Sequence, residues 1–519
     1  MTRHSFQVVV LGSGFAGSIM AMIARRLGFS TALVERGRHP RFVIGESSTP
    51  LANLLLEELA NEYHLPAVRP LCKWGPWQEQ LPHIGCGLKR GFTFYHHQFK
   101  QPFAPDPEHR RQLLVGASPN EEVADTHWYR PDFDHYLVRQ AEASGVTYLD
   151  ELELRAVTEE TDFIRLGGRR KRRPVELLAE FVIDATGPRG FLHRSLGLPE
   201  APLPWLPRTQ SLFSHFAGVG PLPAAFHCQG RTPPYPPEQA AVHHVFPGGW
   251  IWVLKFNNGI TSAGVAATDK VADSLGFQLK DKTWRALLQR LPSLAEIFEP
   301  AHAVRPFTHQ PRLAFQSAKI TGTRWAMLPS AAGFIDPLLS TGFPLALLGI
   351  GRVARLLGNH WGRRSFPGQI ERYAQQTALE LETTARLVGA LYASMNRFEV
   401  FKQLSLIYFA AAIFCETARR SGQSAAADSF LLCRHPTFHP QLVRICELAS
   451  GSGSGAEARN LIARIRRAIR PFDLTGLGDP SSGSWHSAVW PDTANGGRPS
   501  PVPSPVAASY NLGRRLANS

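Results

Sequence analysis

A strand–helix–strand pattern occupies the first 35 residues of the chain. The run FQVVVLG predicts a buried strand, the apolar positions after it predict a helix that stops at Gly28, and STALVE predicts a second strand ending at Glu35. A strand, a helix and a strand in this order form a β-α-β unit, whose two strands run parallel. The pattern therefore predicts an α/β fold.

Two later segments have patterns that fit the same α/β sheet. ELLAEFVIDATG predicts a strand ending at Asp184, and RWAMLPSAAGFIDPLLSTGFPLAL predicts a strand, a tight turn and the start of a helix. Between these segments, WIWVLKF and ITSAGVA flank Asn258-Gly259, which favours a β-hairpin. We therefore expect an antiparallel sheet inserted in the α/β domain. Residues 367–470 are rich in Ala, Leu, Glu and Arg at helical spacing, which predicts packed helices.

Composition excludes several classes of protein. With 519 residues, of which 44% are apolar, the chain is long enough to bury one large core or two to three subdomains. The net charge is +14, yet no basic stripe alternates with aromatic residues, so we expect no nucleic-acid partner. The cysteines lie far apart without a CxxC pair, which predicts free thiols and neither a metal site nor a disulfide framework. They are Cys72, Cys86, Cys228, Cys415, Cys433 and Cys446.

The two ends of the chain and its most apolar segment bear on location. The first strand begins almost at once and leaves no room for a signal peptide. The longest apolar run, LSLIYFAAAIFC, is shorter than a bilayer span. We therefore expect a soluble, cytoplasmic protein without a membrane span. Residues 485–519 turn to Pro, Gly, Ser and Asn, which predicts a disordered tail.

The glycines of the first β-α-β unit have the spacing of a dinucleotide-binding motif. Gly12 permits a tight turn, Gly14 lets a pyrophosphate approach the backbone, and Gly17 lets the helix pack closely on the strand. The N-terminus of the helix stabilises phosphates, and Glu35 can accept hydrogen bonds from the ribose of an adenosine. The sequence therefore predicts a dinucleotide cofactor.

Five segments in a fixed order resemble the flavin-dependent halogenases, which belong to the wider group of FAD-dependent monooxygenases. The segments are GSGFAG, IGESSTP, WYRPDFDHYL, DATG and GFIDPLLSTG, and the resemblance covers about residues 5–400. It implies a Rossmann-like FAD-binding domain with an inserted antiparallel β-sheet that binds substrate and a helical C-terminal region. The domain boundaries we expect are 1–204 for the first FAD-binding segments with a lysine-bearing insert, 205–305 for the sheet, 306–366 for the last FAD-binding segment and 367–475 for the helices.

Lys89, in the segment GLKRGFTFYHH, matches the position of the family's catalytic lysine. An amine in a desolvated tunnel has a lowered pKa. The resemblance implies that Lys89 holds hypohalous acid, or becomes a haloamine, and presents an electrophilic halogen to an arene. A surface lysine with a snorkelling side chain is the structural alternative.

The segment from Asp336 to Gly342 resembles the turn at which the family binds a halide beside the flavin. Helix N-termini and backbone nests favour anions, so Ser340, Thr341 and Gly342 are the candidate halide residues. An ordinary helix N-terminus in contact with the flavin ring is the alternative. Tryptophan halogenases have a Glu where this chain has Leu339, which resembles the phenol- and pyrrole-directed members and argues against free tryptophan as the substrate.

Trp250 and Trp252 match the family's Trp-x-Trp-x-Ile-Pro signature, in which the tryptophans separate the substrate from the flavin. Leu254 and Lys255 replace its Ile and Pro, and the alternative is a strand with large buried aromatic residues. His96 and His97 follow the lysine segment, and either one is a candidate base for a phenol or else a structural residue.

Other residues are expected at the cofactor. Glu46 and Ser47 lie in IGESSTP, where the alternative is a capping pair at a helix N-terminus. Arg130 is expected to contact FAD, with a surface ion pair as the alternative. Asp184 and Gly187 belong to DATG and Asp336 to the halide turn. Ser330 stands where related enzymes have an Asp that bonds the ribityl chain, so we expect looser binding that favours reduced FAD.

Three functions remain open from the sequence. The leading one is an FADH2-dependent halogenase of secondary metabolism, in which a flavin hydroperoxide formed with O2 converts chloride or bromide into hypohalous acid that halogenates an electron-rich, phenolic ring. The second is an FAD-dependent hydroxylase or other FAD oxidoreductase, and the third is a flavin-binding protein without turnover. The resemblance implies a separate NAD(P)H-dependent flavin reductase and an aromatic small molecule, either free or tethered to a carrier protein. The basic helix EARNLIARIRRAIR is either a solvated face or a docking surface for an acidic carrier.

Overall fold

The computed structural model describes residues 2–104, 106–226, 232–451 and 455–487. The strands, numbered in chain order, are β1 (Thr2–Leu11), β2 (Thr31–Val34), β3 (Cys86–Lys89), β4 (Gly91–His96), β5 (Gln112–Gly116), β6 (Asp125–Trp128), β7 (Thr147–Leu149), β8 (Leu152–Glu159), β9 (Ile164–Arg170), β10 (Arg173–Asp184), β11 (Thr209–Ala217), β12 (Ala241–Phe246), β13 (Gly249–Lys255), β14 (Ile260–Thr268), β15 (His302–Ala303), β16 (Thr308–Gln310), β17 (Phe315–Gln316), β18 (Trp325–Met327), β19 (Gly333–Phe334) and β20 (Trp485–His486). The helices are α1 (Phe15–Arg26), α2 (Pro50–Glu62), α3 (Trp74–Gln80), α4 (Arg130–Ala143), α5 (Phe191–Ser195), α6 (Asp269–Leu275), α7 (Asp281–Arg290), α8 (Pro292–Phe298), α9 (Pro329–Ala332), α10 (Gly342–His360), α11 (Phe366–Ser394), α12 (Phe398–Arg420), α13 (Phe438–Ser450) and α14 (Gly455–Ile469).

The first sheet joins three segments that are distant in the chain. Its strand order is β7-β2-β1-β10-β9-β8, and β18 pairs with β10 as well. The pairs β1–β2, β1–β10 and β10–β18 are parallel, as the three sequence patterns predict. Because parallel strands present their carboxyl ends at one edge of a sheet, the glycine-rich turn after β1 and the end of β10 at Asp184 meet there. The predicted α/β fold is confirmed.

The second sheet has nine strands and is mostly antiparallel. The order is β15-β11-β14-β13-β12-β4-β5-β20, with β16 beside β11. The predicted hairpin is present as β13 and β14, and Gly259 adopts a φ of 79° in its turn. Alternate residues of β13 face opposite sides. Trp250 and Trp252 pack into the main core, whereas Ile251 packs into a separate cluster with α7 and α8.

The sheet includes segments on both sides of the predicted insertion. Strands β4 and β5 belong to the lysine-bearing insert that we assigned to the FAD-binding segments, yet they pair within this sheet, because β12 accepts β4 as a parallel neighbour. Strand β16 extends the sheet beyond residue 305. At the other end, Trp485 and His486 of the predicted tail form β20 beside β5. Residues 488–519 of that tail lie outside the described residues, so the tail and the domain boundaries stay predictions.

Helices α11 to α14 occupy the segment 367–470, as its pattern predicts, and α12 packs on α2 and α14. The expectation that the most apolar run is too short to cross a membrane is wrong by length, because that run is part of the 23-residue helix α12. The most apolar window of α12 is 83% buried inside the protein, so its composition is explained by packing. Five cysteines are buried free thiols, as predicted, and Cys228 lies outside the described residues.

Candidate functional site

The glycine-rich turn between β1 and α1 forms a cradle at the carboxyl end of the first sheet. Gly12 has a φ of 89°, and a Cβ there would lie 2.7 Å from the carbonyl oxygen of Ala185. A Cβ on Gly17 would lie 1.8 Å from the carbonyl oxygen of Gly12, so only glycine allows α1 to approach the turn. Gly14 is the N-cap of α1, and a Cβ there would make ordinary contacts with Arg130 Nη2 at 3.5 Å, Arg41 Nη2 at 3.6 Å and Asp134 Oδ2 at 3.7 Å.

Charge at the cradle suits an anionic group. The N-terminus of α1 has no acidic residue in its first turn, so its N–H groups can favour an anion. The guanidinium groups of Arg41 and Arg130 lie beside Gly14, each in an ion pair with a carboxylate, that of Glu35 and that of Asp134 respectively. Glu35 lies just after β2 and accepts hydrogen bonds from the backbone N–H groups of Ser13 and Gly37 at 3.1 and 2.9 Å. Burial raises its pKa, but Arg41 and these N–H donors outweigh burial, so the pKa of Glu35 is lowered. A carboxylate has further lone pairs, which leaves acceptor capacity for a ribose.

The segment Ile44–Ser48, here called the strap, connects the cradle to Lys89. At one end, Arg130 donates to the carbonyl oxygen of Gly45 at 2.8 Å. Arg130 is itself buried and forms an ion pair with Asp134 at 2.8 Å, so the alternative of a surface ion pair is wrong. At the other end, Ser47 Oγ accepts a hydrogen bond from Lys89 Nζ at 2.9 Å. One short segment therefore contacts both candidate groups.

Glu46 lies in the middle of the strap and contacts a histidine of the second sheet. Its Oε1 lies 2.8 Å from Nε2 of His215, and both side chains are almost completely buried. The alternative reading of Glu46 and Ser47 as a helix cap is wrong, because Thr49 caps α2 by accepting a hydrogen bond from the N–H of Ala52 at 3.1 Å.

Lys89, the last residue of β3, is fully buried, which excludes the surface-lysine alternative. Its ammonium group donates to Ser47 Oγ and to the carbonyl oxygen of Ser48, and it lies 3.7 Å from the centre of the Phe92 ring. Burial without a directly bonded carboxylate disfavours the charged amine, and the pKa of Lys89 is therefore lowered. A lysine of this kind can be neutral and nucleophilic near neutral pH.

Asp125 on β6 is the acidic residue opposite Lys89 in the β3–β6 ladder. The two residues are cross-strand partners in the β3–β6 ladder, so their side chains lie on the same face. Asp125 Oδ1 accepts a hydrogen bond from Asn53 at 2.9 Å, whereas Oδ2 has no partner among the described residues. Burial raises the pKa of Asp125, and the Asp125 charge in turn raises the pKa of Lys89 and opposes the effect of burial there.

The turn before α10 has an unusual backbone. Leu339 and Ser340 both have positive φ angles, 64° and 55°, in the left-handed region that few side chains favour. Thr341 is the N-cap of α10, and the helix begins at Gly342, where a Cβ would meet no atom within 4 Å. There is therefore free space beside Gly342 at the start of the helix, and the N-terminal N–H groups of a helix favour a small anion.

A chain of hydrogen bonds links this turn to the second sheet. Asp336 accepts from the N–H of Leu338 at 3.0 Å and from the hydroxyl of Tyr392 at 3.0 Å. Trp250 Nε1 in turn donates to the Tyr392 hydroxyl at 3.2 Å. Burial raises the pKa of Asp336 to about 7. The ring centres of Trp250 and His243 lie 5.3 Å apart. The pKa of His243 is lowered, first by burial and second by the positive charge of Lys89. Trp250 therefore lies between the turn and the lysine region.

A cavity of about 40 Å³ is lined in part by Phe92, the ring over which the Lys89 amine lies. Its other lining residues include Thr49, which follows the strap, and Tyr408, Phe409 and Glu416 on α12. The C-terminal segment closes the cavity with Thr475, Leu477 and Ser487. The wall is otherwise apolar, which is typical of a site for a small aromatic molecule.

The remaining candidate residues lie in several places. Trp252 is buried and donates to Ser262 Oγ at 3.2 Å. His96 stacks on Phe398 at the far end of β4, and the His97 ring lies 2.9 Å from His244 in the second cluster. Neither histidine lines the cavity as described.

Two cofactor candidates have clear local positions at the carboxyl edge of the first sheet. Asp184 is fully buried and accepts from the N–H groups of Thr186 and Leu192, so it organises the turn that contains Gly187, whose φ is 83°. Ser330 is half-buried in the short helix α9 that follows β18. Both positions flank the cradle edge of the sheet.

Comparisons with known proteins identify the family. Residues 125–402, more than half of the chain, match the family model described as tryptophan halogenase. The chain belongs to this family of flavin-dependent halogenases. The resemblance inferred from the five motifs is confirmed, and at the level of enzyme class the chain is an FAD-dependent halogenase. The cradle, with its two arginines and its approachable helix N-terminus, fits the pyrophosphate of FAD.

Individual relatives differ in how much of each chain they cover. Monodechloroaminopyrrolnitrin halogenase PrnC of Pseudomonas fluorescens is 30% identical over 345 residues, which are 65% of this chain and 59% of that protein. Tetracycline 7-halogenase of Kitasatospora aureofaciens is 26% identical over 93% of this chain and 91% of its own length. The crystal structure of halogenase PltM with phloroglucinol and FAD matches with a TM-score of 0.80 and 23% identity, covering 92% of this chain and 98% of that chain, which supports the fold.

Sequence reasoning missed three groups near the site. Asp125, Tyr392 and Glu416 belong to no motif, because each reaches the site through tertiary packing. A weak signal was present for Glu416, since an acidic residue inside the apolar helix α12 is costly to bury unless it is paired or functional.

Proposed function

We propose that the protein is an FADH2-dependent halogenase that attaches chlorine or bromine to an electron-rich, phenolic aromatic ring. The observation that supports this best is the buried amine of Lys89, which lies at the end of the strap opposite Arg130 and next to the cavity wall formed by Phe92. A buried amine with a lowered pKa suits the transfer of an electrophilic halogen better than a solvated ammonium group does.

The cofactor residues in this proposal are those at the carboxyl edge of the first sheet. Gly12, Gly14 and Gly17 with Arg130 bind the pyrophosphate, and Glu35 binds the ribose of the adenosine. Residues farther along the chain contact the flavin end of the cofactor: Glu46, Ser47, Asp184, Gly187, Ser330 and Asp336. Bound reduced FAD supplies the oxidising power, with O2, that turns halide into hypohalous acid.

The halide in this proposal binds at the start of α10. The N–H groups of Thr341 and Gly342 donate to it, and the left-handed backbone at Ser340 turns these donors toward one point. In this proposal Trp250 and Trp252 form a wall between this position and the region of Lys89, and neither residue is part of the cavity lining. The hydrogen bonds from Trp250 through Tyr392 to Asp336 fix that wall relative to the halide turn.

Lys89 then positions hypohalous acid for attack by the ring. The reaction that balances is that of arene with hypohalous acid, giving haloarene and water: the ring carbon bonds to the halogen, the oxygen–halogen electron pair stays on oxygen, and the ring proton completes the water. Exclusion of bulk water by the buried surroundings of Lys89 prevents loss of the reagent.

The partners in this proposal are a small aromatic substrate and a separate NAD(P)H-dependent flavin reductase that supplies FADH2. PrnC is named for monodechloroaminopyrrolnitrin, and tetracycline 7-halogenase is named for tetracycline. Two other relatives are named for pyrrole-2-carbonyl groups on a peptidyl carrier protein. We propose a free phenol for this chain, and a carrier-tethered one is the alternative.

The test mixes the FADH2-loaded protein with oxygen, with and without bromide, and traps hypohalous acid with a chromogenic phenol. We expect halogenated product only with halide present. Lys89→Met preserves the length of the side chain and should lower product formation by on the order of 10³-fold while flavin oxidation continues.

Two results would contradict the proposal. Oxygen incorporation that does not depend on halide would indicate a hydroxylase. A hydroxylase is the second candidate because Leu254 and Lys255 replace the Ile and Pro of the Trp-x-Trp-x-Ile-Pro signature. Halogenation by Lys89→Met at a rate close to that of the wild type would show that Lys89 does not transfer the halogen.

A further inference from the structure

The lining of the cavity beside Phe92 includes one carboxyl group, which no motif accounts for. Glu416 lies on α12, and its side chain is only 6% exposed. Its neighbours in the cavity wall include Phe92, Phe409, Ala412 and Ile413, which are apolar. A carboxylate in such surroundings is costly unless each oxygen finds a donor.

The hydrogen bonds that the Glu416 carboxylate accepts go to one of its two oxygens. Arg420, one helical turn later, directs both Nε and Nη2 to Oε1, each at 2.9 Å. No donor among the described residues reaches Oε2. The side chain of Arg420 is 35% exposed, so solvent partly screens its charge, whereas the Glu416 carboxylate is buried. Oε2 therefore keeps acceptor capacity that no hydrogen bond from the described residues uses, on a residue that lines the cavity.

The charge of Glu416 also has an electrostatic effect close to Lys89. Its charge acts on Asp125, the cross-strand partner of Lys89, and raises the pKa of that carboxyl group. The Lys89 amine lies over the ring of Phe92, and Phe92 also lines the cavity. A flat ring bound in the cavity would therefore lie near both the Glu416 carboxylate and the region of Lys89.

We propose that Glu416 Oε2 accepts a hydrogen bond from the hydroxyl group of a phenolic substrate and so binds and activates it. This inference rests on the proposed function, because it names the group that recognises the substrate of the same site. As the ring carbon attacks the halogen, the phenol proton moves toward the carboxylate, which raises the electron density at the positions ortho and para to the oxygen. The proton returns when the ring loses its own proton to the departing oxygen.

The size of the cavity adds a condition to this proposal. About 40 Å³ is enough for on the order of three water molecules and too little for a phenol ring. One wall must therefore move, and the C-terminal wall formed by Thr475, Leu477 and Ser487 is the part held by the shortest element, the two-residue strand β20. Binding of a ring in this proposal displaces that segment outward.

The test compares three proteins and two ligands at equilibrium, without turnover. The proteins are the wild type, Glu416→Gln and the matched control Glu57→Gln, all with oxidised FAD. Glu57 also acts electrostatically on Arg420, from α2, but it does not line the cavity. The ligands are a phenol that the wild type halogenates and its methyl ether, which has no hydroxyl proton.

We expect Glu416→Gln to weaken phenol binding about tenfold and methyl-ether binding less than twofold, with Glu57→Gln like the wild type. In turnover, kcat for halogenation by Glu416→Gln should fall further and should recover with more acidic phenols, because these need less help to lose the proton. A purely structural role of Glu416 would weaken both ligands equally, and that result would overturn the inference.

The two proposals fail separately. If hypohalous acid forms and phenols are halogenated, but Glu416→Gln binds phenol and ether in the wild-type ratio, only the role of Glu416 is wrong. If the wild type makes no halogenated product from any phenol and binds phenol no better than its ether, the phenolic substrate is wrong and the inference falls with it.

Discussion

The cradle and the cavity are built from the chain in different ways. The cradle is made mainly by residues 12–35 of one β-α-β unit, where each glycine has a local steric reason and each neighbour is a few residues away. The cavity is lined by parts of α2, β4, β5 and α12 and by the segment near β20, which are separated by hundreds of residues. The difference predicts that single changes at the cradle affect the cofactor alone, whereas changes near the cavity affect chemistry and substrate choice.

The cradle can be broken selectively at Gly14. Gly14→Ala introduces a Cβ with only ordinary contacts, 3.5 Å or more from its neighbours, and the backbone φ of −69° suits alanine. The protein should therefore fold, but the methyl group should occupy the space of the pyrophosphate. We expect FAD binding to weaken at least about tenfold, with an unchanged Tm of the FAD-free protein, measured by fluorescence titration and calorimetry.

Gly368→Ala is the matched control for Gly14→Ala. Gly368 lies in the first turn of α11, and a Cβ there would meet no atom within 4 Å. FAD affinity should be that of the wild type. If Gly14→Ala bound FAD equally well, the pyrophosphate would have to lie elsewhere.

The lysine side of the cavity can be tested through its charge. In Asp125→Asn the negative charge opposite Lys89 is removed, while the oxygen that accepts from Asn53 is retained. The Asp125 charge raises the pKa of Lys89, so its loss lowers that pKa further. Because the neutral amine is the reactive form, the acid limb of the pH profile of kcat/KM should move to lower pH by about one unit.

Other titratable groups near Lys89 do not contribute to this shift of the pH profile. Burial lowers the pKa of both His127 and His243, so these rings stay neutral over the measured range. Labelling of Lys89 by an amine-reactive reagent as a function of pH, read by mass spectrometry, gives the same quantity without turnover. Asp132→Asn is the control, since Asp132 bonds the N–H of Gly85 and should leave the limb in place. A limb that moved to higher pH would show that Asp125 does not support the charged amine.

The same contrast explains how far the sequence could predict the structure. Gly12, Gly14 and Gly17 and the strands around them were predictable because turn sterics and hydrophobic periodicity act over a few residues. The three parallel segments of the first sheet were predictable for the same reason. Lys89 was predicted through its motif, but its burial follows from the strap and β6.

The cavity was beyond sequence reasoning because its composition depends on tertiary contacts. Strands β4 and β5 were assigned to the cofactor segments, since nothing local distinguishes a strand that pairs with β12 from one that pairs with β1. Glu416 acts on the pKa of Asp125, a residue far from it in the sequence, because α12 packs on α2. Trp485 was assigned to a tail by composition, and pairing with β5 overrides that tendency.

A change at Trp485 tests whether the C-terminal wall of the cavity sets the size of the substrate, and we expect its effect to be the smallest of the three. The Trp485 ring stacks on His109 with 4.2 Å between ring centres, and β20 is held beside β5 there. Trp485→Ala should loosen the C-terminal wall and favour larger substrates. The kcat/KM for a two-ring phenol, divided by the kcat/KM for a one-ring phenol, should rise about two- to fivefold. The affinity for FAD should not change. Trp361→Ala is the control, because Trp361 packs on Phe29 and Phe181 at the first sheet and should lower Tm without changing the ratio. An equal change of the ratio in both variants would mean that general loosening, and not the wall at β20, sets the size of the substrate.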